Sequence, residues 1–467
     1  MFQKTVLSAA FAAAFAMPVA ASAADDQELA AIRAQIQEMK QSYEARLQAL
    51  EQRLQDAQAA TAAAQNSALV AARQGAAAPA PVVAAPAPAA PPVVAGNNAF
   101  NPSIAMVLGG TFARLSRDPA EWRLQGFVPP DGEVGPGARS FNLGESEITL
   151  SANIDPKFAG QLTFALTPEN EAEVEEAYVR TRALPNGFNA RAGRFLSSLG
   201  YLNAQHAHTW DFVDAPLAYQ AFFGGQYKTD GVQVKWLAPT ETFIELGAEV
   251  GKGAGFPGNE RDKNGAGAAA VFAHAGDDIG DSGSWRAGLS YLRTGSAARE
   301  YEDNGLVVGF DGRSNLMIAD AIYKWAPNGN STQQNFKLQG EYFRRKESGT
   351  LSTGADSDAY ASSQSGWYLQ GVYQFVPNWR AGLRYDRLSS GTPSIGLVNS
   401  GQYTGADFPL LAPYRPARAS VMLDYSPSEF SRLRLQFARD QSRPGVRDNQ
   451  LYLQYIMSLG AHSAHAF

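Results

Sequence analysis

From residue 97 to residue 467, apolar residues alternate with polar or small ones in segments of about ten residues. The most regular segments are residues 148–154, 232–236, 285–291 and 433–437. A period of two is typical of β-strands with one apolar and one polar face. Within a membrane, such strands satisfy their backbone hydrogen bonds only in a closed barrel. The alternation therefore predicts an all-β transmembrane barrel.

Two kinds of connection separate these segments. Short connections that contain proline occur at residues 155–156, 184–187, 238–239, 326–329, 376–378 and 426–427. Longer polar or glycine-rich connections are predicted at residues 253–264, 295–314, 346–363 and 390–417. Counting the segments gives about 16 antiparallel strands, from residues 103–114 to residues 450–459. An even number brings both ends of the barrel to one rim, and the short turns indicate that this rim is periplasmic.

The N-terminal residues have the pattern of an export signal. Lys4 precedes an apolar run that is too short to span a bilayer and ends at Ala21-Ser22-Ala23. We therefore expect residues 1–23 to be a cleaved signal peptide and the mature chain to be exported. The chain has no cysteine, which excludes disulfides and thiolate metal sites.

Two further segments precede the barrel. Residues 24–74 carry apolar residues at steps of three and four, beginning Leu29, Ile32, Ile36, which predicts a periplasmic α-helical coiled coil. The alternative is a single amphipathic helix lying on a partner. Residues 75–96 are rich in alanine and proline, which predicts a semi-rigid linker. Residues 97–467 form the predicted outer-membrane β-barrel.

The inward face of the strands carries the charged residues that bear on function. Because burying many charges in a dry core is prohibitive, they predict a water-filled lumen. For each residue the alternative is a cross-strand ion pair that stiffens the wall, and the near balance of charges predicts no clear ion selectivity. The pore-lining candidates are Arg180, Arg182, Arg191, Lys235, Arg286, Lys337, Arg380, Arg384, Arg432, Arg434, Glu245 and Glu341.

Four of the five histidines occur as two pairs, His206 with His208 and His462 with His465. The first pair lies in a loop after the fifth strand, residues 199–226, which is expected to fold inward and narrow the pore. The predicted metal ligands are His206, His208, Asp211 and Asp214, since imidazole and carboxylate together suit transition metals. The alternative is that hydrogen-bonded histidines hold the loop.

The run from Leu143 to Asp155, with the turn after it, resembles proteobacterial porins related to the phosphate-selective porin O/P family. Residues 200–216 and 460–465 are similar to a group described as zinc-regulated outer-membrane proteins. The resemblance covers most of residues 97–467. It implies a homotrimeric channel that is general or favours anions, and it implies metal-responsive expression.

These patterns predict an outer-membrane porin, a passive diffusion channel for small hydrophilic solutes or ions, including anions or metal-related solutes. One alternative is a tether that joins the outer membrane to the periplasm or peptidoglycan through the coiled coil. Another is a gated metal-related uptake protein. The expected partners are outer-membrane lipid, two further copies of the chain and the barrel-assembly machinery. Catalytic spacings are absent from the sequence, so we expect no enzymatic activity and no cofactor. A net charge of -6 does not favour nucleic acid.

Overall fold

The computed structural model describes residues 102–130, 134–144, 146–166, 171–182, 184–259 and 264–460. The chain divides into two units between Val94 and Ala95, and the described residues belong to the second. The predicted signal peptide, coiled coil and linker, residues 1–96, lie outside the described residues and stay predictions. The same holds for the pair His462 and His465.

Within the described ranges the alternating segments form 18 β-strands in one sheet. The strands are β1 Ser103–Leu115, β2 Ser140–Leu143, β3 Ser146–Asn153, β4 Phe158–Leu166, β5 Ala172–Thr181, β6 Phe188–Leu196, β7 Lys228–Leu237, β8 Phe243–Gly251, β9 Ala268–Ile279, β10 Gly283–Asp303, β11 Leu306–Trp325, β12 Asn335–Thr353, β13 Asp356–Val376, β14 Trp379–Ser389, β15 Ser394–Ile395, β16 Ala417–Ser428, β17 Ser431–Gln441 and β18 Asp448–Gly460.

The described helical elements are short. The α-helices are α1 Leu217–Phe223 and α2 Gly396–Asn399, and the 3-10 turns are Pro119–Glu121, Pro185–Gly187, Ala207–Thr209, Pro327–Gly329 and Pro409–Leu411. Among the residues that the structure describes, no helix has the length and apolar character needed to cross a membrane.

The sheet closes on itself because β1 pairs with β18 on one side and with β2 and β3 on the other. β2 and β3 follow each other along β1 and together make one stave of the barrel. Strands β3 to β14 and β16 to β18 pair antiparallel in chain order, with β14 next to β16, while the two-residue β15 pairs with β13. The closed barrel therefore has 16 staves, as the alternation predicts.

The outward face of the barrel is apolar over a band of limited height. On β13 the outward positions from Trp367 to Phe375 are apolar or glycine, and the next outward residues are Ser365 and Ser363. Large side chains on this face are well exposed, for example Leu289 and Leu383 at 66% each. A crossing strand needs about 9–11 residues, which matches this band. An exposed apolar surface of this extent is one that lipid covers.

Two of the four predicted long loops are wrong. Residues 295–314 and 346–363 are instead strand residues of two long hairpins, β10–β11 and β12–β13, whose two-residue turns lie at 304–305 and 354–355. Strands of 19–21 residues are about twice as long as a membrane crossing needs. The hairpins therefore extend beyond the apolar band, where outward residues such as Lys346 and Ser348 are polar and the apolar residues, such as Phe310, face inward. The apolar outward face that identifies a membrane strand is lost there.

Candidate functional site in the barrel interior

The chain between β6 and β7, residues 197–227, folds into the barrel and is called the inserted segment below. Its residues contact inward side chains from strands on different sides of the wall, including Glu147 on β3, Glu249 on β8, Glu341 on β12 and Arg434 on β17. A segment that reaches all of these strands crosses the lumen. The prediction that this loop folds inward is confirmed.

Wall carboxylates hold the first residues of the inserted segment. Glu249 accepts a hydrogen bond from the backbone N–H of Ser198 at 2.9 Å. Glu341 accepts from the N–H groups of Tyr201 at 3.1 Å and Leu202 at 3.0 Å. A chain that leaves the sheet loses its ladder partners, and its buried N–H groups need new acceptors. The acidic side chains provide these acceptors and fix where the segment enters the lumen.

Helix α1 fills the lumen beside β12 with apolar side chains. All seven of its residues are buried. Phe222 stacks on Phe343 of β12 with ring centroids 5.7 Å apart, and the Tyr219 hydroxyl donates to Glu341 at 3.0 Å. Gly224, with a φ of 69°, ends the helix in the left-handed conformation that glycine adopts readily. Close packing of aromatic rings excludes water from this part of the lumen.

One sector of the wall, from β12 to β17, is cationic. Its six members come from β12, β14, β16 and β17, and we call them the basic sector: Lys337, Arg380, Arg384, Arg418, Arg432 and Arg434. The strand register places Arg380 opposite Asp424 and Asp424 opposite Arg434, at one height on three neighbouring strands. The basic groups are therefore clustered, which the balanced charge count of the sequence did not predict.

Asp211 of the inserted segment lies between two members of the basic sector. Its carboxylate is 2.6 Å from Lys337 Nζ and 3.2 Å from Arg380 Nη1. Arg380 also contacts Asp424 of the wall at 2.6 Å. These distances are those of charge-assisted hydrogen bonds. The network attaches the middle of the segment to β12 and β14.

Asp214 makes the second attachment. Its carboxylate lies 2.8 Å from Arg384 Nη2 and 2.7 Å from Arg418 Nη1, and both guanidinium groups are 1% exposed. Burial opposes ionisation, but Arg384 and Arg418 outweigh it and lower the pKa of Asp214 to about 2. The carboxylate is therefore ionised at neutral pH and balances charges that water does not reach.

The basic sector keeps an excess of positive charge. Its six cations face five carboxylates, those of Asp211, Asp214, Asp386, Asp424 and Asp440, and Lys324 of β11, opposite Lys337, adds a seventh cation, which leaves a formal charge of +2. Arg432 donates to the backbone oxygen of His208, and its Nε and Nη1 atoms have no hydrogen-bond partner among the described residues. The sector is thus suited to an anion more than to a cation.

The other predicted pore-lining residues lie nearer the short-turn rim. Arg180 and Arg182 are exposed there. The remaining candidates on this side are partly buried and occur in three pairs with wall carboxylates: Arg191 with Glu176 at 4.0 Å, Lys235 with Glu245 at 3.4 Å and Arg286 with Asp320 at 3.9 Å. Water reaches this half of the barrel.

In the middle of the barrel, however, the expectation that water solvates the charges is wrong. Arg432 and Arg434 are each 1% exposed, and Glu341 is 3% exposed. Carboxylates, carbonyl oxygens and tyrosine hydroxyls of the inserted segment take the place of water around them. Charges can be buried at this density because each sector of the wall meets complementary groups on the segment.

The predicted metal ligands separate into two groups. Asp211 and Asp214 belong to the basic sector, as described above, and do not join the histidines. His206 and His208 instead approach wall carboxylates of β3 and β5. The donor atoms of Glu147, His206 and His208 lie within 4.8 Å of one another. The carboxylates beside the two histidines are therefore glutamates of the wall and not the two predicted aspartates.

His206 is surrounded by carboxylates. Its Nδ1 is 2.9 Å from Glu175 and 3.0 Å from Glu147, and its Nε2 is 3.2 Å from Glu176. Burial disfavours a charged ring, but hydrogen bonds to Glu147, Glu175 and Glu176 raise the pKa of His206 well above its ordinary value. With nothing else bound, the ring is an imidazolium that joins the inserted segment to the wall.

Sequence reasoning missed two members of these networks for different reasons. Arg418 follows directly after a predicted loop, although its alternation with Ser420, Met422 and Asp424 places it inward. For Glu175 the sequence carries no signal of an inward direction. It is adjacent to the inward Glu176, so strict alternation assigns it to the lipid face. Only the pairing of β5 with β4 brings its side chain inside.

No protein-family model matches the chain. Among solved structures, the barrel is similar to OmpT of Vibrio cholerae, an outer-membrane protein folded in vitro, with a TM-score of 0.49, 11% identity and coverage of 79% of this chain and 100% of that one. An anion-selective porin from Comamonas acidovorans has a TM-score of 0.47 and 11% identity over 77% of this chain and 99% of its own. The outer-membrane channel DcaP of Acinetobacter baumannii has a TM-score of 0.45 and 12% identity over 77% and 97%.

A relative in sequence comes from Aquifex aeolicus (strain VF5), where it is described as an uncharacterized protein. The two sequences are 32% identical over 398 residues, which cover 79% of this chain and 80% of the relative. The similarity thus extends over most of both proteins. The chain belongs to the same protein family as this Aquifex aeolicus protein.

Proposed function

We propose that the protein is a porin-type channel of the bacterial outer membrane whose conductance for small hydrophilic solutes is limited by the inserted segment. The observation that carries the proposal is the contrast between the two faces of the closed barrel. The outer face is apolar over the height of a bilayer, while the inner face carries charged side chains on most strands. The inserted segment accounts for the buried charges in the middle of the barrel, but not for Arg191, Lys235 and Arg286 near the short-turn rim, which stay partly exposed as in a solute path.

The charge of the basic sector gives the channel a preference for anions. The excess of two positive charges creates a positive potential beside the inserted segment. In a site with low-dielectric walls this potential attracts anions and repels cations. A preference for anions also agrees with the resemblance to phosphate-selective porins. That resemblance remains part of the proposal.

Current measurements across a planar bilayer test this function. The purified, detergent-folded protein should give small ohmic steps, and a salt gradient should give a reversal potential of the sign for anions. Replacing two cations that line the water-filled half, Arg191→Gln and Lys235→Gln, should move the reversal potential toward cations. Cation selectivity of the unchanged protein would contradict the anion preference. Absence of current both from this protein and from the variant without the inserted segment, described in the Discussion, would contradict the channel itself.

Homotrimeric assembly and a tethering role belong to the same proposal. The tethering role rests on the heptad pattern of residues 24–74, which predicts self-association in the periplasm, while the homotrimer rests on the resemblance to porins. A channel and a tether are compatible within one chain. Deleting residues 25–95 separates them, because a tether then loses its envelope attachment while the barrel keeps its conductance.

A further inference from the structure

The sites of interest beyond the channel are clusters of side chains that the solute path does not need. One of these lies where the inserted segment meets β3 and β5. It contains two imidazoles, His206 and His208, and three carboxylates, Glu147, Glu175 and Glu176. His206 and His208 flank Ala207 at the 3-10 turn Ala207–Thr209, so both rings leave the chain within one turn. Their centroids are 5.7 Å apart.

The spacing of the donor atoms matches that of a metal site. Glu147 bridges the two rings, with one oxygen 3.0 Å from His206 Nδ1 and the other 2.8 Å from His208 Nδ1. Ligands about 2.0–2.2 Å from a Zn²⁺ ion are themselves about 3–3.5 Å apart, depending on the geometry. Small rotations of these side chains are therefore enough to direct the donor atoms at one ion.

The local charge also favours a divalent cation. The three carboxylates contribute -3, and Arg191, 4.0 Å from Glu176, contributes +1. With both imidazoles neutral the sum is -2, which one divalent ion neutralises. The side chains of Glu147 and His208 are 2% and 1% exposed, so water does not screen this charge.

An irregularity in β5 brings two carboxylates to the same ring. Thr163 lies opposite Glu176, and Phe164 lies opposite Val174, so Glu175 has no partner on β4. This is a β-bulge, which re-aims a side chain and gives up regular pairing. Without it, alternation would direct one of the two glutamates toward lipid.

A second irregularity precedes Glu147. Leu143 pairs with Gly110, and Glu147 pairs with Val107, so four residue steps on the β2–β3 stave correspond to three on β1. The extra residue shifts the phase of alternation just before Glu147. Both staves that supply carboxylates to this cluster are thus irregular where the histidines approach them.

From this geometry we propose that Glu147, His206 and His208 bind one divalent transition-metal ion of the Zn²⁺ class, with Glu175 or Glu176 as a further ligand. Imidazole and carboxylate donors suit Zn²⁺ and its neighbours better than Mg²⁺ or Ca²⁺, which prefer oxygen alone. The ion would join β3 and β5 to the inserted segment. This site is independent of the proposed solute, and its test does not use conductance.

The test is calorimetric titration of the folded full chain with ZnCl₂ after treatment with a chelator. All proteins carry His462→Asn and His465→Asn, so that the second histidine pair does not contribute. We expect one equivalent of Zn²⁺ per chain and no comparable binding of Mg²⁺. His206→Ala, His208→Ala and Glu147→Gln should each weaken binding by at least about 100-fold, since loss of mere supporting groups already costs about 10–100-fold.

The matched control is His274→Ala, which removes a buried wall histidine that lies on Glu245, away from the cluster. It should bind Zn²⁺ as the parent does. Because a cluster variant can fail to fold, each protein is first checked for barrel structure by circular dichroism, and Glu147→Gln keeps the shape of the side chain. X-ray absorption at the zinc edge should detect about two imidazole ligands. Equal affinity in the parent and in folded Glu147→Gln and His208→Ala variants, or a spectrum without imidazole, would overturn the proposal.

Discussion

Removal of the inserted segment is expected to raise the single-channel conductance by at least about tenfold, because barrels of 16 strands have a wide aqueous lumen unless something fills it. In the variant, a short Gly-Ser linker replaces residues 198–226. Leu196 and Lys228 already face each other as the last paired residues of β6 and β7, so a tight turn joins them without moving either strand. The measurement is current in planar bilayers, compared with the unchanged protein.

The same variant should also become more selective for anions. The deletion removes Asp211 and Asp214 and leaves the basic sector and Lys324 facing three wall carboxylates, Asp386, Asp424 and Asp440. The formal excess rises from +2 to +4. A shift of the reversal potential toward cations, or an unchanged conductance in a folded barrel, would show that the segment does not limit the path.

A control deletion distinguishes opening of the lumen from a general effect of shortening a loop. Residues 401–406, in the connection between β14 and β16, are mostly exposed at the long-loop rim. Removing them should leave the conductance close to that of the parent. Circular dichroism and heat-modifiable migration on gels confirm that both deletion variants form barrels.

Asp214→Asn is expected to lower the free energy of unfolding by about 3–5 kcal/mol, the usual effect of removing one partner from a buried ion pair. Arg384 and Arg418 both contact this carboxylate and are 1% exposed, so neither finds water as a substitute. The measurement is urea unfolding of the barrel in lipid vesicles. Adding Arg418→Gln to the same chain should recover part of the lost free energy of unfolding, because one of the two buried cations without its carboxylate partner is then absent.

Asp230→Asn provides the matched comparison. Asp230 forms an equally close pair with Arg194 at 2.7 Å, but the two side chains are 45% and 41% exposed. Exposed pairs contribute only about 0–1 kcal/mol, since water solvates both charges and salt screens them. Equal losses for Asp214→Asn and Asp230→Asn would contradict the view that the dry interior makes the segment's attachments strong.

The sequence determined the barrel because its signal is local and repeats along the chain. Alternation and turn residues predict 16 staves, and the first and last strands appear within two residues of their predicted bounds. The inward folding of the loop after the fifth strand was also predicted, because the strand count places this loop among the long ones. The two long hairpins were not, because strand residues beyond the membrane need no lipid face and lose the apolar alternation on which the prediction depends.

The interior was decided by tertiary structure. Which cations cluster depends on the register between strands that are distant in sequence, as for Arg380, Asp424 and Arg434. The inward direction of Glu175 depends on a bulge defined only by its pairing with β4. The sequence also predicted that water solvates the inward cations. Nothing local in it indicates that Asp211 and Asp214 take the place of water beside these cations. Sequence periodicity determines the face of a strand, whereas partners across the lumen are determined only by closure of the barrel.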